Sequence, residues 1–129
     1  YKDHNTMLIE ENTATAATAI TAYRQGVIEA GGEMWTQPIV LKSDTITLMA
    51  DKKPPELHTG DFFQTASDEV LPEVIIVGTG AKQEFIHPKI IAEAASRGVG
   101  LECMNTASAC RTLVLLQGEG RSVWAWLWP

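Results

Sequence analysis

The sequence predicts an α/β domain that carries additional β-structure near its N-terminal end. Short apolar stretches alternate with helical patterns over residues 73–128. That alternation is typical of parallel strands joined by right-handed helical crossovers. Turn signals divide residues 19–30 into short β-rich stretches, as in a hairpin or meander. The composition, 45% hydrophobic and 20% charged residues, is that of a globular domain.

The front of the chain predicts antiparallel strands. Residues 19–23 and 26–30 form two short strands joined at residues 24–25, and residues 31–32 are a Gly-Gly turn signal. Two further strands are predicted, over residues 34–41 and, after the Lys-Ser-Asp turn, over residues 45–49. Both stretches are rich in the aliphatic and β-branched side chains that half-buried strands prefer.

The middle of the chain ends this sheet pattern. Residues 45–49 are the last of these predicted strands, and residues 52–55 are Lys-Lys-Pro-Pro. Proline cannot donate a main-chain hydrogen bond to a strand ladder, so the sheet stops here. Thr59 or Asp61 then caps a short helix.

The second half predicts strands and helices in alternation. Residues 73–77 are a continuous apolar run, which indicates a strand buried on both faces. Pro88 is tolerated in a first helical turn and marks the start of a helix. The apolar face predicted for this helix comprises Ile90, Ile91, Ala94 and Ala95.

The chain then predicts one more helix between two strands. Residues 99–104 form a strand, and Asn105 or Thr106 caps the following helix. The apolar positions of that helix are Ala109, Cys110, Leu113 and Leu116. Residues 123–128 form the last strand.

Net charge excludes one class of partner. The chain has 10 Lys and Arg residues against 16 Asp and Glu residues, a net charge of -6. An acidic surface repels phosphate backbones, so we expect no nucleic-acid binding. No apolar run approaches the roughly 18 residues that a membrane helix requires, so we expect no membrane insertion.

Cysteine and histidine spacing argues against a metal or a disulfide framework. Cys103 and Cys110 are separated by six residues, which matches no zinc motif. His4, His58 and His87 are far apart in the sequence. We therefore expect no metal and no cofactor, and a reducing cytoplasm as the compartment.

One domain accounts for the chain. Its 129 residues suffice for a single hydrophobic core. Residues 1–6 precede Met7 and are interpreted as a non-native leader, which leaves residues 7–129 as a single domain.

A glycine-containing turn is the first candidate ligand site. Gly78, Thr79 and Gly80 follow an apolar strand, where main-chain N–H groups can converge on an anion. Gln83 stands where a dinucleotide fingerprint needs a third glycine. The alternative interpretation is that the glycines only allow a tight exit from the strand.

A second segment is expected to lie beside this turn. If the strands before Gly80 and before Thr106 are parallel neighbours, both exit loops share one edge of the sheet. The donors available there to an anionic group are Thr79, Gln83, Thr106 and Arg111. The alternative is that these groups satisfy loop carbonyls and helix ends.

Cys110 has two interpretations. A thiol in the first turns of a helix has its pKa lowered by the helix dipole, which would make Cys110 a redox-responsive site beside Arg111. The alternative is a small apolar residue on the buried face next to Leu113.

Tryptophan alternates with smaller residues in the last strand. Trp124, Trp126 and Trp128 lie on one face of residues 123–128. A central strand with both faces buried explains this pattern. The other interpretation makes Trp128 an exposed contact for a protein partner or the anchor of a homodimer.

Four segments resemble a known family. They are Thr-Ala-Tyr to Glu at residues 21–29, Val-Gly-Thr-Gly-Ala-Lys-Gln-Glu-Phe at 77–85, Gly-Val-Gly-Leu-Glu-Cys-Met-Asn-Thr at 98–106, and Ala-Cys-Arg-Thr at 109–112. The sequence over about residues 17–128 resembles the domain-of-unknown-function family that includes mitochondrial complex I assembly factor 3 and the adipogenesis-associated single-domain proteins.

This resemblance implies a fold and a role. The fold is three-layered, with a central mixed five-stranded sheet whose last strand is antiparallel to the others, flanking helices and an N-terminal hairpin. The better understood relatives are assembly or regulatory proteins. We therefore expect a non-enzymatic domain with no catalytic residues that binds another protein. A ligand-binding or enzymatic corner at residues 78–80 and 106–111 is the alternative.

Overall fold

Two β-sheets, three α-helices and a short 3-10 helix (Pro54–Glu56) make up the described part of the domain. The computed structural model describes residues 17–42, 44–64 and 69–129, and the predicted leader at residues 1–6 lies outside them. The strands are β1 (Ile20–Arg24), β2 (Val27–Ala30), β3 (Glu33–Trp35), β4 (Ile39–Lys42), β5 (Thr45–Leu48), β6 (Val74–Thr79), β7 (Gly100–Met104) and β8 (Val123–Trp128). The helices are α1 (Thr59–Phe62), α2 (Pro88–Ser96) and α3 (Thr106–Gly118).

The main sheet has five strands in the order β5-β4-β8-β6-β7. β6 pairs in parallel with β7 and with β8, and β4 pairs antiparallel with β5 and β8. The expectation of a last strand antiparallel to all others is wrong. α2 and α3 each carry the chain back to the end of the sheet where β6 begins, so β7 and β8 run parallel to β6.

β8 lies at the centre of this sheet, which confirms the interpretation of alternating tryptophans as a doubly buried strand. Trp124 and Trp126 are each 2% exposed, with ring centroids 6.2 Å apart. Lys42 from β4 lies over the Trp124 ring, with its Nζ 4.4 Å from the centroid. The same ammonium forms an ion pair with Glu69 at 3.1 Å, so its charge is matched beside the rings.

Both faces of the main sheet are covered. On one face, β1, β2 and α3 close a cluster that includes Ile28, Ile76 and Leu127. On the other face, α1, α2 and the loop before α2 close a cluster that includes Phe62 and Trp126, whose ring centroids are 4.7 Å apart. The number of layers stays a prediction from the family resemblance.

The front of the chain forms the predicted meander, in which β1, β2 and β3 pair antiparallel. Gly26 in the β1–β2 turn has a φ of 89°, a conformation that L side chains rarely adopt. The prediction of one strand over residues 34–41 is wrong. Pro38 cannot donate to a ladder, and the chain leaves β3 there to enter the main sheet as β4.

Helix starts agree with the sequence except at α1. His58, not Thr59 or Asp61, precedes the first turn of α1, and the Asp61 carboxylate accepts its main-chain N–H at 2.7 Å. Pro88 begins α2 as predicted. Asn105 caps α3 through a hydrogen bond from the Ser108 N–H at 2.8 Å.

The buried face of α2 is narrower than predicted. Ile90 and Ala94 are buried, whereas Ile91 is 39% exposed and Ala95 is also exposed. A helix that packs against one edge of a sheet buries only the stripe facing that edge, so the outer pair of the predicted face remains in solvent.

Candidate functional site

The structure brings together the segments that follow β6 and β7, next to the carboxyl end of β8. Thr106 is fully buried, and its hydroxyl donates to the Trp128 carbonyl at 2.6 Å. The same oxygen accepts the Gly80 N–H at 2.7 Å, and the Gly80 carbonyl accepts the Thr106 N–H at 2.9 Å. Each of these polar groups therefore has a partner inside the protein.

Thr79 and Gln83 bond to the protein in the same way. The Thr79 hydroxyl lies 2.7 Å from the Lys82 carbonyl and accepts the Glu84 N–H at 3.0 Å. The Gln83 side-chain amide donates to the Cys103 carbonyl at 3.2 Å. These contacts agree with the alternative to ligand binding, in which the polar side chains of the loop bond to main-chain groups of the protein.

Gly78 shows how tightly this corner is packed. A Cβ at this position would lie 2.9 Å from the Ala109 Cβ and 2.9 Å from a Leu127 methyl group. Only glycine lets β6 approach α3 and β8 so closely. The corner is filled by its own atoms, and its geometry does not support the hypothesis of an anion site there.

Arg111 does not join the corner, contrary to the sequence-based expectation. It is exposed, and its guanidinium donates to the Ser108 hydroxyl at 3.1 Å on the outside of α3. Successive helical residues point in directions about 100° apart, so Thr106 and Arg111 serve different surfaces of the helix.

Cys110 is a core residue. It is 4% exposed, and burial raises the pKa of its thiol to about 11, although Arg111 acts in the opposite direction. The geometry therefore does not support the hypothesis of a thiol activated by the helix N-terminus, because desolvation outweighs the favourable charge. Burial also raises the pKa of the Cys103 thiol, against a main-chain hydrogen bond from Ile86.

Trp128 is half-buried and anchored. Its indole N–H donates to the Lys52 carbonyl at 2.9 Å, and its ring packs against the cluster that holds Trp126. Its role as a partner contact or a homodimer anchor stays a prediction. Sedimentation of the wild type at micromolar concentration tests the homodimer, and a monomer would reject it.

An open groove of about 430 Å³ separates β1 from α3. Its lining includes Ile20, Ala22 and Tyr23 from the strand and Cys110, Arg111 and Val114 from the helix. Two predicted site residues thus lie in this groove rather than at the corner. The β1 residues of this groove could not be predicted from the sequence, because only the tertiary fold places β1 against α3.

A second cleft of about 460 Å³ brings His58 and His87 together at the starts of α1 and α2. The His87 Nδ1 accepts the Lys89 N–H at 3.1 Å, which occupies one ring nitrogen in helix capping. Within residues 17–42, 44–64 and 69–129, no group of three or more His, Cys, Asp or Glu residues is arranged to hold a metal ion. No helix in these ranges is long and apolar enough to cross a membrane.

These features define a small α/β domain with a closed strand–helix corner and two open surface clefts. The chain belongs to the family described as Protein of unknown function (DUF498/DUF598), whose model matches residues 20–128. A crystal structure of a protein from Bordetella parapertussis is 32% identical, with a TM-score of 0.77 over 90% of this chain and 98% of that chain.

Two further relatives match shorter stretches. Over 57 residues, 44% of this chain, the sequence is 40% identical to the Mus musculus protein named NADH dehydrogenase (ubiquinone) 1 alpha subcomplex assembly factor 3. Over 52 residues, it is 40% identical to a 13 kDa major membrane protein of Francisella tularensis, covering 40% of this chain and 42% of that protein. The match spans 31% of the length of the mouse relative.

Replacement of Thr106 tests the closed corner. Thr106→Val is expected to lower the free energy of unfolding by about 1–3 kcal/mol, because the Gly80 N–H and the Trp128 carbonyl lose their partner. Thr106→Ser keeps the hydroxyl and is expected to lose about 1 kcal/mol or less. Urea denaturation measures both, and equal losses would contradict the bridging role of the hydroxyl.

Thiol titration tests the burial of Cys110. In a Cys103→Ala variant, Cys110 is the remaining thiol, and an aromatic disulfide reagent at about pH 8 is expected to label it only after denaturation. The thiolate is the reactive form, and a pKa of about 11 leaves it scarce in the folded protein. Labelling as fast in the native state as in denaturant would contradict this.

Proposed function

We propose that this chain is a protein-binding domain of the assembly-factor kind, which takes part in building a multisubunit complex without itself being an enzyme. The observation that carries the proposal is the 40% identity over 57 residues to a relative named as an NADH dehydrogenase assembly factor. The family to which the chain belongs is described as one of unknown function, so membership of it does not assign a reaction to the chain.

The corner geometry supports a binding role over a catalytic one. The Thr79 and Thr106 hydroxyls and the Gln83 amide, which would have been the donors for a substrate, bond to the Lys82, Trp128 and Cys103 carbonyls. A substrate would first have to replace those internal bonds, each of which contributes on the order of 1 kcal/mol.

The free thiols support the choice of compartment. Cys103 is half-buried and Cys110 is buried, and neither forms a disulfide. We propose a reducing compartment such as the cytoplasm as the place of action, where such thiols persist.

Deletion of the gene tests the proposed function. Loss of the protein is expected to lower the amount of mature NADH dehydrogenase complex on native gels and to raise the amount of partial complexes, because the assembly step slows. Expression of the wild-type chain should restore the mature complex. An unchanged ratio of mature to partial complexes in the deletion strain would reject the assembly role.

A further inference from the structure

The two edges of the main sheet differ in how they are protected. At the β7 edge, the loop before α2 contacts the strand, because the Gln83 side-chain amide donates to the Cys103 carbonyl at 3.2 Å. The β5 edge has no such cover among the described residues. Three of the four β5 residues are exposed, and Leu48 is 59% exposed.

The register identifies the free main-chain groups of β5. The Met49 N–H donates to the Pro38 carbonyl at 2.9 Å, so this opposed pair is a hydrogen-bonded one. Bonded and non-bonded pairs alternate along an antiparallel ladder, so Thr45 and Thr47 also bond to β4. The N–H and C=O groups of Ile46 and Leu48 therefore point away from β4, toward the open edge.

The edge strand β5 is short, with four residues, but it lacks the side chains that most often block pairing with another strand. β5 reads Thr-Ile-Thr-Leu and has neither lysine nor proline, the residues that commonly block edge pairing. Asp44 and Asp51 flank it, both exposed, and neither makes an ion pair with any described residue. Among the described residues, an uncharged hydrogen-bonding edge thus lies between two exposed carboxylates, and of the two lysines that follow Asp51, Lys52 is paired with Asp61.

We propose that β5 receives an extended segment of a partner protein as an added strand, with Lys or Arg at both ends of that segment. Main-chain bonds to Ile46 and Leu48 would hold the segment, and Leu48 would pack against one of its side chains. The flanking Asp44 and Asp51 select basic ends. This inference rests on the proposed protein-binding function and names the chemistry of the partner.

A second copy of the chain fits this edge less well. Antiparallel pairing of two β5 strands about Thr47 would bring Asp44 of one copy beside Asp51 of the other at both ends. Each copy also has a net charge of -6. Like charges at the ends of a short ladder oppose the association, whereas a segment with basic ends gains from the same carboxylates.

A designed peptide tests the edge directly. The probe is a capped Val-Thr-Val-Thr-Val peptide with two lysines at each end, titrated to about 1 mM, where weak binding is still detectable. We expect binding that shifts the Ile46 and Leu48 amide signals in NMR spectra. The same peptide with N-methyl groups on its central residues, or with glutamates in place of the lysines, is expected to bind at least about tenfold more weakly.

Variants of the protein provide matched controls. Leu48→Pro removes an N–H that β4 does not use, so the strand should keep its ladder while the peptide loses at least about tenfold in affinity. Leu48→Val keeps the N–H and should bind within about twofold of the wild type. Asp44→Asn with Asp51→Asn should weaken binding of the lysine peptide and remove its preference over the glutamate peptide.

Three results with the purified protein would overturn the inference. The first is that the lysine peptide does not bind, and the second is that it binds equally to the wild type and to Leu48→Pro. The third is that the wild type is a dimer that Leu48→Pro dissociates, which would assign the edge to a second copy of the chain. Rescue of the deletion strain separates the two proposals. If Leu48→Pro restores assembly as well as the wild type does, the edge inference fails and the assembly role stands. An unchanged deletion strain rejects the assembly role whatever the peptide shows.

Discussion

The organisation of the domain depends on the two hydrogen bonds made by the Thr106 hydroxyl. It donates to the carbonyl at the end of β8 and accepts the N–H at the end of β6, while its own residue begins α3. Three elements that are distant in the chain are therefore held at one buried atom. A side chain able both to donate and to accept is required there, because each main-chain group would otherwise be buried without a partner.

That closure explains why surface and core have separate roles in this domain. The hydroxyls of Thr79 and Thr106 are buried and bond to main-chain carbonyls, and the exposed Gln83 amide bonds to the Cys103 carbonyl, so these donors already have partners within the protein. Both faces of the main sheet are also buried. The Trp124 and Trp126 side chains belong to the apolar cluster on one face, and the Leu127 side chain belongs to the cluster on the other. The open surfaces of the described residues include the groove beside α3, the histidine cleft and the edge of β5.

Local patterns predicted the elements well. The apolar run of β6, the proline that begins α2 and the Asn105 cap of α3 act through neighbouring residues, so a short window contains the whole signal. Contacts between residues far apart in the sequence were harder to predict. Neither the insertion of β8 between β4 and β6 nor the outward direction of Arg111 follows from a short window. The strand ends predicted that residues 78–80 and Thr106 lie together, but only tertiary contacts show that the donors there already bond to the protein.

The pairing of β4 with β8 has a consequence for synthesis of the protein. Ile39 lies opposite Leu127, so an early strand completes its ladder only after a late one has left the ribosome. The β6–β7 unit can form before β8 emerges, and its inner edge then waits for the missing strand. Long-range pairing of this kind slows folding and leaves strand edges transiently open to other chains. The β6 edge that pairs with β8 therefore stays open from the synthesis of β7 until the last residues of the chain have been made.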